Sequence, residues 1–149
     1  MAFYYLETSA LVKLYVREAG TERVLALAER TADNRLAILA LSQVEFRSAV
    51  RRRERAGEIP AFLATQLLEA FKRHLEVRFV SQGVTDFVLD IASRLIDRHA
   101  LRAYDAVQMA GYVALRSSMV SEAPIFVCSD HALLAAAERE GIAVLNPAP

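Results

Sequence analysis

A single cysteine, Cys128, stands in 149 residues, so neither an internal disulfide nor a multi-cysteine zinc site can form. It lies in the run Phe126-Val127-Cys128 and reads as a small buried hydrophobe, not a nucleophile. Glycine is scarce too, with five in the chain and none in a phosphate-cradling loop. No Gly-x-Ser-x-Gly elbow is present. These absences argue against an NTPase, a dinucleotide enzyme and an α/β-hydrolase. Charge of one sign is missing as well: 18 basic residues balance 18 acidic ones. Binding of nucleic acid through a large positive excess is therefore disfavoured, although a local basic patch remains open. The three histidines, His74, His99 and His131, have no partner at ligand spacing such as i, i+4. No apolar run approaches the ~18–20 residues of a membrane span, and the N-terminus lacks a signal-peptide pattern. The expectation is a cytoplasmic protein without membrane contact.

What is present is a core-rich chain. Apolar residues make up 54% of it, which argues against disorder. Neither linker, repeat nor low-complexity segment interrupts it, so residues 1–149 are read as one domain. Phe3 to Leu6, Leu36 to Leu41, Val77 to Val80, Ile125 to Cys128 and Ile142 to Leu145 read as strands. Between them, helical patterns run over Ser9 to Val16, from Thr21, over Ser42 to Arg55, from Pro60, over Val84 to Arg98, Ala103 to Arg116 and His131 to Glu140. Thr21 is expected to cap its helix, and Gly141 to end the last one. Val84, Phe87, Val88, Ile91, Leu95 and Ile96 fit the inward stripe of an amphipathic helix. Alternation of strands and helices predicts an α/β protein: a three-layer α/β/α sandwich around a parallel sheet of four to five strands.

Four acidic residues fall where strand patterns give way to helical ones or helices begin: Glu7, Glu45, Asp105 and Asp130. Each has an ordinary explanation, because helix N-termini favour negative charge. Ser42-Gln43-Val44-Glu45 is a capping-box pattern, and Asp130 suits an N-cap. In a parallel sheet, however, the C-terminal strand ends share one edge, and carboxylates beyond it converge. Such a cluster calls for a neutralising divalent ion, which is the chemistry of a metal-dependent phosphodiesterase. Thr8, Ser9 and Ser129 stand beside these acids, placed to orient a carboxylate or water or simply to cap a helix. The run Arg51-Arg52-Arg53-Glu54-Arg55 reads first as a solvated helix face, and Arg51, Arg52 and Arg102 are the candidate contacts to a substrate phosphate.

Tyr5-Leu6-Glu7-Thr8-Ser9-Ala10-Leu11-Val12-Lys13-Leu14-Tyr15 resembles the opening motif of PIN-domain ribonucleases, specifically the VapC toxins of toxin–antitoxin pairs. Leu101 to Gln108, centred on Tyr104-Asp105-Ala106, resembles the family's third acidic motif, and Phe126 to Asp130 its closing motif. Ser42 to Glu45 falls where the family places its second acid. The resemblance spans Tyr4 to Pro147. It implies a PIN-like fold and Mg²⁺-dependent (or Mn²⁺-dependent) cleavage of RNA to 5′-phosphate and 3′-hydroxyl ends. Glu7, Glu45, Asp105 and Asp130 would be the catalytic residues, with Glu7, Asp105 and Asp130 holding one or two ions. It also implies a homodimer and a cognate antitoxin docking near the site, with Val12, Tyr15 and Phe62 as candidate contacts.

The chain departs from the family at one point: Glu7 stands where the first acid is typically Asp. Glutamate keeps the charge but adds a methylene, and Mg²⁺ demands near-ideal octahedral geometry. A misplacement of ~1 Å can cost roughly a hundredfold in rate. This motivates one rival reading, an attenuated or inactive PIN domain acting through partner binding. A second rival, another metal-dependent phosphohydrolase such as a phosphatase, is disfavoured by Glu7 where a nucleophilic Asp would stand.

Overall fold

The computed structural model describes residues 1–149, apart from the side chain of Arg30. Five strands form one sheet: β1 (Phe3–Leu6), β2 (Arg35–Leu39), β3 (Phe79–Gln82), β4 (Ile125–Val127) and β5 (Val144–Leu145). Their order is β3-β2-β1-β4-β5, and every described pairing is parallel. The helices are α1 (Thr8–Val12), α2 (Thr21–Ala28), α3 (Ser42–Arg55), α4 (Ala61–Val77), α5 (Asp86–Arg98), α6 (Ala103–Ser117) and α7 (His131–Arg139).

The layering follows from the two-residue period of the central strands. Tyr5, Ala37, Leu39 and Phe126 face one way, into a core with α5, α6 and α7. Their neighbours Leu6, Leu36, Ile38 and Val127 face the other way, into a core with α1, α3 and α4. Strands buried on both faces must be apolar throughout, which is why β2 reads as a nearly unbroken apolar run. The expected three-layer α/β/α sandwich is the structure found.

Sheet order decides where a site can lie. From β1 the chain builds outward through β2 and β3, then returns to the other side of β1 for β4 and β5. The direction of winding therefore reverses between β1 and β4. At such a switch point the connections leave in opposite directions and open a crevice beyond the strand C-termini. Glu7 follows β1 directly, and Asp130 lies three residues beyond β4.

Several local expectations are corrected. Ser42 is not an N-cap: Leu41 holds that place, and no side chain caps α3. Ser42, fully buried, and Glu45 turn their Oγ and Oε1 instead to Gln108 Nε2, a buried tertiary donor that needs acceptors. Gly20 caps α2 in place of Thr21, whose Oγ1 accepts from the Glu18 N–H instead. The helix expected from Val84 begins at Asp86, where Thr85 caps it by accepting from the Val88 N–H. Val84, Phe87 and Ile96 are exposed. Packing on α6 covers a narrower stripe of α5, formed by Val88, Ile91, Ala92 and Leu95, and leaves its flanks open. The third strand runs over Phe79–Gln82, two residues later than expected, because α4 continues through Val77. Val12 is buried core, whereas Phe62 is exposed.

Candidate active site

The site is assembled from four chain-distant segments, the fourth being the β4–α7 junction that carries Asp130. The first is the β1–α1 junction. Glu7 is the N-cap of α1, and its Oε2 accepts from the Ser9 N–H (2.9 Å) and the Ser9 hydroxyl (2.5 Å). Ser9 Oγ in turn accepts from the Ser129 N–H at 2.9 Å, tying this junction to the β4–α7 loop. Glu7 is 6% exposed. Burial raises its carboxyl above the usual range, the Ser9 hydrogen bonds oppose that, and the Glu45 charge adds to it.

The second segment is the N-terminal half of α3, which presents Ser42 and Glu45. Glu45 Oε1 accepts from Thr8 Oγ1 at 3.0 Å and from Gln108 Nε2 at 2.6 Å. The third segment is the start of α6. Asp105 lies in its first turn, and Arg102, 86% exposed, approaches it at 3.5 Å. Burial raises the Asp105 carboxyl, and the Asp130 charge raises it further, against a lowering by Arg102. Asp130 caps α7 by accepting from the Leu133 N–H at 2.9 Å.

Gln108 links the first three of these segments and is the site residue to which the sequence pointed least. It is 1% exposed. Its amide nitrogen lies 3.0 Å from both Thr8 Oγ1 and Ser42 Oγ, besides its contact with Glu45. Its backbone carbonyl accepts from the Tyr5 hydroxyl at 2.8 Å. Its Oε1 is buried without a hydrogen-bond partner. The available signal was a glutamine on the otherwise apolar inner face of α6, one turn after Asp105. Cys128 is fully buried, as expected, but also has a polar role: its Sγ accepts from the Asp130 N–H at 3.3 Å. Burial pushes its thiol up, and the Glu7 charge adds to this, which disfavours the thiolate.

The basic run divides by partner. Arg51 pairs with Glu54 at 2.8 Å and Arg53 with Glu18 at 2.9 Å. Arg52 is exposed and has no ion pair among the described residues. It lines a groove shared with Thr8, Val44, Glu45 and Tyr104.

The donor set suits a hard cation. It is made of carboxylate oxygens, with Asp105 against Asp130 and Glu7 against Glu45, and Arg102 is too exposed to compensate much. As the side chains lie, no three His, Cys, Asp or Glu among the described residues stand close enough to hold one ion. Glu7 in particular is drawn back onto Ser9.

Known structures share this architecture. A chain of VapBC2 from Rickettsia felis, bound to a DNA fragment from its promoter, matches with a TM-score of 0.66 at 13% identity. The match covers 97% of this chain and 98% of that one. A toxin–antitoxin complex from Klebsiella pneumoniae matches with a TM-score of 0.67 at 12% identity, covering 97% of each chain. PAE2754 from Pyrobaculum aerophilum matches with a TM-score of 0.65 at 22% identity, over 98% of this chain and 84% of that one. No curated protein matches the chain in sequence. No described helix is long and apolar enough to cross a membrane. The family described as PIN domain matches residues 4–120, and the chain belongs to that family.

Proposed function

We propose that this protein is a divalent-metal-dependent endoribonuclease and the toxin of a toxin–antitoxin pair. The observation that carries the reading is the placement of Glu7, Glu45, Asp105 and Asp130 around the β1/β4 switch point of a PIN domain. The toxin role is supported by the neighbours from Rickettsia felis and Klebsiella pneumoniae. A cognate antitoxin and a second copy of the chain are the protein partners in this reading.

Asp105, Asp130 and Glu7 would hold one or two Mg²⁺ or Mn²⁺ ions, and Glu45 would complete the acidic set. A bound ion lowers the pKa of water and polarises a phosphate oxygen. The chain's own contribution is positional. Gln108 and Thr8 fix the Glu45 carboxylate, Ser9 fixes Glu7, and the α7 backbone fixes Asp130. Asp105, raised by burial and by Asp130, and Glu7, raised by burial and by Glu45, are carboxyls whose ionisation a cation beside them would favour.

Incubation of single-stranded RNA with the wild type and Asp105→Asn, in Mg²⁺ and in EDTA, tests the reading. Cleavage is expected for the wild type in Mg²⁺ alone. Cutting that survives EDTA or the substitution refutes it.

One observation favours a second reading, an attenuated enzyme. Glu7 is buried and engaged by Ser9, so its extra methylene is accommodated by bending towards α1. Glu7→Asp distinguishes the two readings: a gain in rate of tenfold or more supports attenuation, and an unchanged or lower rate supports an adapted site.

A further inference from the structure

The groove beside Glu45 holds about 420 Å³ and lies between α3 and the start of α6, with Thr8 of α1 also on its lining. On α3, Val44, Ser48 and Arg52 follow one another at four-residue spacing, with Glu45 and Ala49 alongside. Across from them stands Tyr104, from the first turn of α6 and adjacent in sequence to Asp105. Tyr104 is 65% exposed and Val44 is 66% exposed. Tyr5 and Tyr112, by contrast, are fully buried and donate their hydroxyls to backbone carbonyls. Tyr104 has no such structural employment among the described residues. Scattered exposed apolar residues are ordinary. Here, however, an aromatic ring and an apolar wall share one lining with an acidic site residue and an unpaired guanidinium.

We propose that this groove is a nucleobase subsite, in which Tyr104 stacks on a base of the single-stranded substrate next to the bond being cut. The inference rests on the nuclease reading and extends it from the phosphate to the base. Aromatic rings on exposed surfaces hold unpaired bases because every base offers a π-face, and neighbouring cations track the backbone. Arg52 meets that second need at the groove wall, and Arg102 stands two residues before Tyr104. An apolar protein side chain would match Val44 and Tyr104 but would leave Glu45 and Arg52 facing it. A nucleotide uses the whole lining. The subsite requires an unpaired base, so it makes the enzyme specific for single strands.

Two measurements test the proposal. In the first, cleavage of a single-stranded RNA is compared with that of the same RNA carrying one abasic nucleotide beside the cut. Stacking predicts that Tyr104→Ala lowers kcat/KM about 5- to 150-fold on the intact strand. Tyr104→Phe should stay near wild type, and the alanine penalty should vanish on the abasic strand. A merely structural tyrosine would show the same penalty on both strands. Equal cleavage by Tyr104→Ala and wild type on the intact strand overturns the subsite while leaving the nuclease reading intact. The second measurement needs no cleavage. The chain has no tryptophan, so Tyr104→Trp supplies a sole indole reporter. In an Asp105→Asn background its emission should be quenched by oligouridylate and by oligoadenylate, but not by a fully paired duplex. Emission that ignores both single strands overturns the proposal, whatever the cleavage assay gives.

Discussion

Replacing Gln108 with leucine removes the amide that links α6 to Glu45, Thr8 and Ser42 while keeping the side chain's approximate size. The amide nitrogen carries two hydrogens and faces three acceptors, so at most two good hydrogen bonds are lost. One of them, to the Glu45 carboxylate, is charge-assisted and contributes about 1.5–3 kcal/mol. The other contributes about 0.5–1.5 kcal/mol. Against this, Gln108 Oε1 is buried without a partner, and removing it returns about 1–3 kcal/mol. The net expectation is a loss of about 1–2 kcal/mol. For a chain of this size that lowers Tm by roughly 2–8 °C. Activity should suffer more than stability. A Glu45 carboxylate freed to move by ~1 Å can cost about a hundredfold in rate. Thermal melts followed by circular dichroism in EDTA, with single-turnover RNA cleavage in Mg²⁺, measure the two effects separately. Gln108→Glu is the informative companion: it keeps the shape but sets a carboxyl against Glu45. It should melt lower than Gln108→Leu at pH 7 in EDTA and recover when Mn²⁺ is added. Wild-type stability and rate in both variants would refute the positioning role.

Asp105 has a raised folded-state carboxyl, so its own contribution to stability is greatest below the ordinary aspartate value of about 3.9 and falls as pH rises through the raised one. In EDTA, Asp105→Asn should therefore melt above wild type at pH 7 and level with it near pH 3; a gap independent of pH would contradict this. Millimolar Mn²⁺ should raise Tm of the wild type by mass action and that of Asp105→Asn much less, and equal shifts would count against the proposed ligand. Glu140 has the opposite sign: hydrogen bonds from Arg98 and His99 hold its carboxyl low. Its stabilisation is present above the ordinary glutamate value of about 4.3 and is lost as pH falls through the lowered one, so the deficit of Glu140→Gln in denaturant midpoint should shrink in acid. At Gly111 a Cβ would come within 2.5 Å of both Leu39 Cδ1 and the Tyr5 hydroxyl, itself anchored on Gln108. Gly111→Ala gains about 1 kcal/mol of helix propensity but overpacks at about 1–3 kcal/mol. Net destabilisation is expected in urea, and a stabilised variant would show that this contact yields.

Patterns whose cause lies within a few residues were legible in the chain. Ser42–Arg55 was bounded correctly, Asp130 caps α7, and Gly141, at a φ of 72°, follows its end. The alternation of strands and helices sufficed for the parallel sheet, because a strand buried on both faces must be apolar and its parallel successor needs a crossover. Exposure of Phe87 and Ile96 was not legible, because a helix pattern shows which residues could face inward and not how wide a neighbour covers them.

The acidic site divides along the same line. The sequence by itself determined which carboxylates are available and that each stands near a strand end or helix start, since charge type and local pattern belong to single segments. Only the tertiary structure decided that the order β3-β2-β1-β4-β5 sets the ends of β1 and β4 side by side, and with them Glu7 and Asp130. It also decided that Glu7 turns onto Ser9, that Ser42 and Glu45 give up a capping box for Gln108, and that Tyr104 faces Val44 and Arg52 across a groove. The physical reason is that a buried polar group takes the best partner that packing brings to it, and that partner is often a hundred residues away, as Gln108 is from Thr8.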